Sequence, residues 1–357
     1  MTNNNYAVIM AGGVGSRFWP LSTPERPKQF IDVLGIGKTL IQMTYERLLN
    51  IVPAQNIYIL TNEKYVELVR TQLPDIDRGS ILTEPQRKNT APCIAYAAAK
   101  ITAIDKDACM IVCPSDHLIL KEELFKNIVE TAVKNASEND KIVTLGIKPT
   151  RPDTGYGYIE FSKEQHAQAG DVTKVLQFRE KPNLETAEVF IKSGNFYWNS
   201  GIFVWKSAVV IDALEKYQKD LFDLFCADTS NYNTDREQEF VNKAFEACQD
   251  ISIDYAVMEK ADNVDVVLAT FDWSDLGTWK SLNEHLEKDT FNNSIIGGKV
   301  YTFNVKNCLV NVPEDKVVLI DGLSDHIIVE SDNVLMILKT SHEQELKNYL
   351  KAIEEKS

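Results

Sequence analysis

The sequence predicts an α/β fold, with a mixed but mostly parallel sheet flanked by helices and a small β-rich domain at the C-terminal end. Two observations support this prediction. Through the first 150 residues, short apolar runs rich in β-formers alternate with helical patterns, which is the order of a parallel sheet covered on both faces. After residue 290 the sequence becomes β-branched and turn-rich, and helical patterns are absent until 342–355.

The elements of the first part follow one another in strict alternation. Strands are predicted at 6–10, 56–61, 80–85, 108–117 and 141–147, and helices at 39–49, 63–73, 91–104 and 124–136. Because ligands of such folds bind outside the carboxyl ends of the strands, polar residues that follow these strands are the first candidates for a site.

The pattern changes near Arg151 to strands and loops with scattered aromatic residues, followed by helices at 207–225 and 235–247 and a further strand from Val264. We therefore divide the chain into a larger domain, 1–289, and a C-terminal domain, 290–357. The larger domain has two parts, about 1–150 and about 151–289. Apolar triplets in the C-terminal part are compatible with the coils of a β-solenoid.

Composition excludes several classes of protein. The 38 Lys and Arg residues against 52 Asp and Glu residues give a net charge of −14, which disfavours nucleic acid and anionic membranes as partners. No apolar run is long enough for a membrane span, and the N-terminus lacks the features of a secretory signal, so a cytoplasmic location is expected. The six cysteines form no C-x-x-C pair, so buried free thiols are expected.

The stretch AGGVGSRFWPLSTPERPKQF, from Ala11 to Phe30, is a locally basic, glycine-containing loop in an acidic protein. Glycines allow backbone N–H groups to approach an anion, and Arg17 and Lys28 supply cations for a polyphosphate. Prolines would limit the loop to few conformations before a ligand binds. The dinucleotide fingerprint fails because Phe18 stands where its third glycine belongs, and the P-loop pattern fails because Asp32 occupies the position of its first glycine.

This stretch resembles the signature of the sugar-1-phosphate nucleotidyltransferases, and its form GGVGSRFWPLSTPERPKQF resembles that of the mannose-1-phosphate guanylyltransferases. The segments TEPQRKNTAPCIAYAA, VCPSDHLI, GYGYIEF, FREKP, YWNSGIFVW, SIDYAVMEK and WSDLGTW follow in order, so the resemblance covers almost the whole chain. It implies that 1–289 is a Rossmann-like, GT-A-like catalytic domain, with a nucleotide-binding half at about 1–150 and a sugar-phosphate-binding lobe at about 151–289. It also implies that the C-terminal domain is related to a left-handed β-helix. Some members carry a second, isomerase domain; the sequence ends too soon for one, so no isomerase activity is expected.

Two carboxylates lie just after the apolar parts of predicted strands and are candidate metal ligands. Asp116, in CPSDH, and Asp275, in DWSDLGTW, could each hold a hard cation, although an isolated Asp at such a position is also a common helix cap. The resemblance implies that both bind one Mg²⁺, for which Mn²⁺ could substitute. The residues expected to be catalytic are Arg17, Lys28 and Asp116.

The remaining candidate residues are expected to bind the two substrates. Glu84 could accept hydrogen bonds from guanine, and the resemblance places its segment near the base, although Asn89 and Thr90 also form an ordinary helix N-cap. The full nucleotide set is Ala11, Gly12, Gly13, Gly15, Ser16, Glu84, Asn89, Thr90, Pro92 and Ser115. The resemblance implies that Glu180 binds mannose hydroxyls and Lys181 the sugar phosphate; an exposed ion pair is the alternative. The full sugar-phosphate set is Gly157, Glu180, Lys181, Asn199 and Gly201.

The implied reaction converts GTP and α-D-mannose 1-phosphate into GDP-mannose and pyrophosphate. Its nucleophile is an already charged phosphate, which agrees with the absence of a Ser-His-Asp or Cys-His pattern. Two alternatives stay open: the same chemistry with another nucleoside triphosphate and hexose 1-phosphate, or a noncatalytic subunit that binds sugar nucleotides. A homodimer is expected because relatives use such C-terminal tails for dimer contacts.

Overall fold

The computed structural model describes residues 4–13, 15–162 and 168–355, and of Ser16 it describes the backbone alone. In these residues the strands, in chain order, are β1 (Asn5–Ala11), β2 (Ile57–Asn62), β3 (Ile81–Glu84), β4 (Cys109–Pro114), β5 (Leu118–Ile119), β6 (Ile142–Ile147), β7 (Tyr158–Phe161), β8 (Val172–Arg179), β9 (Phe196–Lys206), β10 (Val264–Ala269), β11 (Trp273–Ser274), β12 (Ser294–Phe303), β13 (Leu309–Asp321), β14 (His326–Ser331) and β15 (Val334–Lys339).

The α-helices in the same part of the chain are α1 (Leu40–Leu49), α2 (Val66–Gln72), α3 (Thr90–Ile104), α4 (Glu122–Asn139), α5 (Leu184–Ser193), α6 (Ser207–Tyr217), α7 (Lys219–Phe225), α8 (Glu237–Ala247), α9 (Trp279–Asn283) and α10 (Leu346–Glu354). Short 3₁₀ helices include Ser16–Phe18 and Lys28–Phe30, and a π-helix covers Asp254–Met258.

Packing divides the chain into two compact units. Unit 1 comprises Met1–Gly12, Thr44–Ser115 and Ile119–Trp273; unit 2 comprises Gly13–Met43, Asp116–Leu118 and Ser274–Ser357. This division differs from the boundary expected near residue 290. The reason is one apolar cluster in unit 2, in which Phe18 and Leu118 are buried together with Trp279 and Leu309. Composition alone does not reveal that these distant segments share a core.

Unit 1 is built on a mixed sheet of nine described strands, in the order β3-β2-β1-β4-β9-β6-β10-β8-β7. Strands β1 to β4 pair in parallel, and so do β6 and β10. The other pairs are antiparallel, because β9 enters between β4 and β6 and β8 returns beside β10. The mixed sheet is confirmed, but the expectation that it is mostly parallel is wrong. Among the described strand pairs of this sheet, four are parallel and five are antiparallel.

Helix α3 is central to the core of unit 1. Every residue from Ala91 to Ile101 is buried, so this part of the helix is enclosed on all sides. Its charged residue, Lys100, forms an ion pair with Glu237 at 2.6 Å. It belongs to one cluster with side chains of β1, among them Tyr6 and Val8, and with helices α6, α7 and α8. Helix α4 packs outside this cluster against β6, β9 and β10. Helices thus cover the sheet, as the alternating sequence pattern predicts.

Unit 2 contains a four-stranded sheet in the order β12-β13-β14-β15. The first three strands are parallel, with Ser294 opposite Leu309 and Leu309 opposite Ile327, while β15 pairs with β14 as an antiparallel hairpin. A small C-terminal β domain is therefore confirmed. The described cysteines are all free and buried, as expected. Among the described residues, no helix has the length and apolar character needed to cross a bilayer.

Candidate active site

A polar pocket of about 280 Å³ in unit 2 brings together five of the predicted residues. They are Gly15, Arg17, Lys28, Asp116 and Asp275, and they come from three segments far apart in the sequence. The sequence analysis did not select the remaining lining residues: Phe18, His117, Leu276, Gly277 and Lys347. The basic glycine loop and the two candidate metal ligands therefore share one cavity.

The glycine loop has a defined shape. Gly15 has a φ of +64°, and a Cβ there would collide with the Cβ of Lys28, so a larger residue would be excluded on both counts. Its carbonyl accepts hydrogen bonds from the Phe18 amide and from the Ser22 hydroxyl. Gln29 donates from Nε2 to the carbonyl of Gly13, at 3.0 Å. These contacts fix the turn on which Arg17 is carried.

Lys28 is buried, and its ammonium group is surrounded by protein acceptors. Its side chain is 5% exposed, and Nζ lies 2.8 Å from Asp116 Oδ2. Nζ also donates to the backbone carbonyls of Asp275, at 2.7 Å, and Leu276, at 3.1 Å. Because an ammonium has three N–H donors, the acceptors found here use all of them. In this arrangement Lys28 orients the two candidate metal-binding segments.

Lys28 also determines the charge of Asp116. Burial by itself would raise the pKa of this carboxyl, but the attraction of Lys28 and of His117, with the hydrogen bond from Lys28, lowers the pKa below its usual range. The side chain of Asp116 remains 30% exposed toward the pocket. Asp116 is therefore a charged carboxylate at neutral pH, as a ligand for a hard cation must be.

Asp275 does not cap the following helix. Its Oδ1 accepts from the Gly277 amide at 3.0 Å, which stabilises the turn before α9. The N-cap is Thr278, whose side chain exchanges hydrogen bonds with Ser281 in a reciprocal capping box. Thr278, and not Asp275, therefore caps α9. Asp275 lines the pocket.

The residues predicted to read the base lie in unit 1 around a buried carboxyl. Glu84 is 3% exposed, and its Oε2 accepts from Cys93 Sγ at 3.1 Å. Burial raises the pKa of Glu84, although its hydrogen bond from Cys93 opposes this shift. A Cβ on Gly12 would lie 3.0 Å from Glu84 Oε1, so a side chain at position 12 would crowd that oxygen.

The other predicted nucleotide residues have structural partners. Asn89 caps α3 through a hydrogen bond from the Thr90 amide, and Thr90 Oγ1 accepts from the Ile253 amide at 2.8 Å. The N-cap interpretation of this pair is thus correct. The carbonyl of Ala11 accepts from Thr61, and the Ser115 amide donates to Met10. Pro92 is buried in the first turn of α3, and the Ser16 side chain lies outside the described part.

The predicted sugar-phosphate residues also lie in unit 1 and form one polar cluster. Lys181 Nζ is 2.9 Å from Glu180 Oε1; the glutamate side chain is 9% exposed and that of the lysine 59%. Lys181 adopts a φ of +44°, an uncommon conformation for a non-glycine residue. A Cβ on Gly157 would come within 2.5 Å of Glu180 Oε2, so this glycine makes room for the carboxylate. Only a small fraction of the glutamate side chain is exposed, so the pair differs from an ion pair of two solvated side chains.

Asn199 is hydrogen bonded on both sides of its amide. Its Oδ1 accepts from Thr144 Oγ1 at 2.9 Å and from the Gly201 amide at 3.2 Å. Its Nδ2 donates to Asp254 Oδ1 at 3.0 Å. Asn199 therefore orients Asp254, a residue that the sequence analysis did not select.

Asp254 is the first residue of the π-helix, a rare element that is frequent at functional sites. Burial, reinforced by the negative charge of Glu180, raises its pKa to about 6. A carboxyl that titrates near neutral pH, beside Glu180 and Lys181, can accept or donate a hydrogen bond. Its segment, SIDYAVMEK, was part of the family resemblance, but nothing in the segment itself distinguishes Asp254 from a helix cap.

Comparison with known proteins agrees with this geometry. A family model described as Nucleotidyl transferase matches residues 6–291. A mannose-1-phosphate guanylyltransferase of Salmonella montevideo is 38% identical over 97% of this chain and 73% of its own length. The alginate biosynthesis protein AlgA of Pseudomonas aeruginosa is 36% identical over 97% of this chain and 72% of its own.

A solved structure has the same fold over nearly the full length. It is named as a mannose-1-phosphate geranyltransferase from Thermus thermophilus, and it is 29% identical, with a TM-score of 0.86 over 98% of this chain and 99% of that one. Together with the family match, these similarities extend over both compact units. The chain belongs to the nucleotidyl transferase family and, within it, to the mannose-1-phosphate guanylyltransferases.

Proposed function

We propose that this protein transfers GMP from GTP to α-D-mannose 1-phosphate, giving GDP-mannose and pyrophosphate. The observation that carries the proposal is the unit 2 pocket, in which Arg17, Lys28, Asp116 and Asp275 meet. We expect a noncatalytic relative to have lost at least one of these four residues. The guanylyltransferase names of relatives at more than a third identity support GTP and mannose 1-phosphate as the substrate pair.

The two carboxylates of the pocket fit a divalent metal. Asp116 is charged, and Asp275 lines the same cavity, so both offer the hard oxygen ligands that Mg²⁺ prefers. Among the described residues, no group of three or more His, Cys, Asp and Glu side chains is placed to hold a metal ion, so these two carboxylates are the side chains that would hold it. When bound, Mg²⁺, or Mn²⁺ in its place, would neutralise phosphate charge.

The chemical step needs positioning rather than a protein base. The sugar phosphate is mostly dianionic at neutral pH, since its second pKa is about 6, and its oxygen can attack the α-phosphorus directly. Pyrophosphate leaves on the opposite side, in line with the attack. Arg17, which is exposed on the glycine turn, would contact the polyphosphate and stabilise the charge that develops on the leaving group.

The buried lysine of the pocket has a supporting task. Lys28 holds Asp116 and the backbone of Asp275 and Leu276, and in this way it fixes the two metal-binding segments before substrate arrives. These three acceptors around Nζ leave no donor for a phosphate unless one contact is exchanged. We therefore assign Lys28 to positioning.

The unit 1 cluster would bind the sugar phosphate. Glu180 offers a carboxylate to neighbouring hydroxyls, and Lys181 offers an ammonium to the phosphate. Asp254, held by Asn199, adds a third group for the sugar hydroxyls. Glu84 and the Asn89–Thr90 segment are the proposed base-recognition elements, and guanine's N–H donors would suit the Glu84 carboxylate.

Three finer assignments also remain proposals. The parallel strands β12, β13 and β14 would belong to successive coils of a left-handed β-helix. The protein would act in the cytoplasm. It would form a homodimer, for which the neighbouring side chains of Tyr301 and Leu319, each more than half exposed on adjacent strands, offer an apolar contact surface.

The direct test is pyrophosphate release by the purified protein with Mg²⁺, in which GTP, ATP, UTP and dTTP are each combined with mannose 1-phosphate and glucose 1-phosphate. We expect release with GTP and mannose 1-phosphate, and at least tenfold less with every other pair. Release with a different pair would keep the mechanism and overturn the specificity. If folded protein released pyrophosphate with no pair, a noncatalytic sugar-nucleotide binder would replace the proposal.

A further inference from the structure

The pocket in unit 2 contains three cations whose environments differ. Lys28 is buried and its donors have acceptors, as described above. Arg17 and Lys347, by contrast, are exposed, and neither has an ion-pair or hydrogen-bond partner within the described part of the chain. These two side chains are therefore the ones with positive charge available to a ligand.

Lys347 is brought to the pocket by the packing of the last helix. It is the second residue of α10, and the preceding residue, Leu346, is 4% exposed. Leu346 and Leu350 belong to the same apolar cluster as Phe18, which is 1% exposed and adjoins Arg17 in the sequence. Burial of these apolar side chains thus anchors α10 against the glycine turn.

The next turn of the helix provides a contrast. Lys351 lies four residues after Lys347, but it does not line the pocket, and its Nζ is 4.0 Å from Glu355 in an exposed pair. Two lysines on one helix therefore differ in what they face. Of the two, Lys347 lies beside the basic turn. Its position is therefore more specific than that of a lysine that only keeps the outer face of a helix in solvent.

We propose that Lys347 is a phosphate-binding residue that acts with Arg17 on the polyphosphate of the nucleoside triphosphate and on the pyrophosphate product. This inference rests on the proposed function and extends it. An ammonium on a flexible stem suits a mobile polyanion, because it can follow the phosphates as a point charge without fixed geometry. The C-terminal helix, beyond the residues 6–291 that the family model matches, would then supply part of the active site.

The test compares Lys347→Met, Lys347→Arg and the control Lys351→Met in the full chain. For each we would measure kcat, the KM of both substrates, and the Kd of inorganic pyrophosphate by calorimetry with Mg²⁺ present. Loss of one charge-assisted phosphate contact is expected to raise the GTP KM and the pyrophosphate Kd about tenfold in Lys347→Met. The KM of mannose 1-phosphate should change less than about twofold, and Lys347→Arg should recover most of the affinity.

The outcomes separate this inference from the proposed function. If Lys347→Met bound GTP and pyrophosphate as well as Lys351→Met does, the inference would be wrong even for an active enzyme. The unsubstituted protein could instead transfer no nucleotide, while Lys347→Met binds pyrophosphate more weakly than the unsubstituted protein does. That result would support the anion site and contradict the proposed function. Circular dichroism melting of each variant ensures that folded proteins are compared.

Discussion

The unit 2 pocket and the unit 1 cluster each contain an aspartate and a lysine, but the pKa of the aspartate shifts in opposite directions in the two places. In the pocket, Lys28 lies against Asp116 and lowers the pKa of that carboxyl. In the cluster, burial and the nearby Glu180 raise the pKa of Asp254 to about 6, although Lys181 opposes the shift. The difference matches the proposed ligands, since a metal polyphosphate requires a permanent charge and neutral hydroxyls do not.

The largest effect is expected from removing the charge of the pocket carboxylate. Asp116→Asn should lower kcat by roughly 10²- to 10⁴-fold, because a neutral amide is a poor Mg²⁺ ligand and leaves Lys28 without its ion pair. Steady-state pyrophosphate release at saturating substrates and Mg²⁺ measures this change. The control Asp223→Asn, in an exposed helix pair with Lys219, should keep normal turnover. Near-normal activity of Asp116→Asn would remove the metal assignment.

A smaller effect, on stability, is expected in the cluster. The folded-state pKa of Asp254, about 6, lies above its ordinary value of 3.8, so the folded protein holds the proton more tightly. The resulting stability is present below about pH 4 and is lost as the pH rises to about 6. In Asp254→Asn the amide oxygen can still accept the hydrogen bond from Asn199, but the negative charge of the carboxylate is removed. Relative to the unsubstituted protein, its free energy of unfolding should therefore increase between about pH 4 and pH 7, by on the order of 3 kcal/mol.

Urea denaturation at several pH values checks this second prediction. Glu180 and Lys181 shift the pKa of Asp254, and Glu259 lies beside them, where its Oε1 accepts from the Glu180 amide at 3.3 Å. The comparison must therefore be made at constant ionic strength. Asp262→Asn, at a side chain that is 83% exposed, is the matched control and should show no such trend. A difference between Asp254→Asn and the unsubstituted protein that does not vary with pH would show that Asp254 is not held protonated.

The sequence could predict the pocket residues for a physical reason. Asp116 comes two residues after strand β4, and the glycine turn follows strand β1. Because these strands are parallel, their carboxyl ends are candidates for a ligand site. Gly15 could also be selected from the sequence, because glycine permits turns that other residues do not. The structure gives the reason for glycine there, since its φ is positive and Lys28 leaves no room for a side chain.

The remaining features depend on contacts between distant segments. Lys347 resembles any solvated lysine on an amphipathic helix until the burial of Leu346 beside Phe18 is known. Asp254 does not stand out in SIDYAVMEK, because Glu180 and Asn199, which set its environment, come from other strands and loops. The entry of β9 between β4 and β6 has the same cause, since long-range antiparallel pairing leaves no local pattern.

The central claim is that the pocket acts on the polyphosphate and the cluster on the sugar. It is tested most directly by the KM of GTP and of mannose 1-phosphate, together with kcat, in Arg17→Ala and Asp254→Asn. We expect Arg17→Ala to lower kcat and raise mainly the GTP KM, and Asp254→Asn to raise mainly the mannose 1-phosphate KM, each by about tenfold. Equal changes in both KM values for both variants would contradict this division of labour.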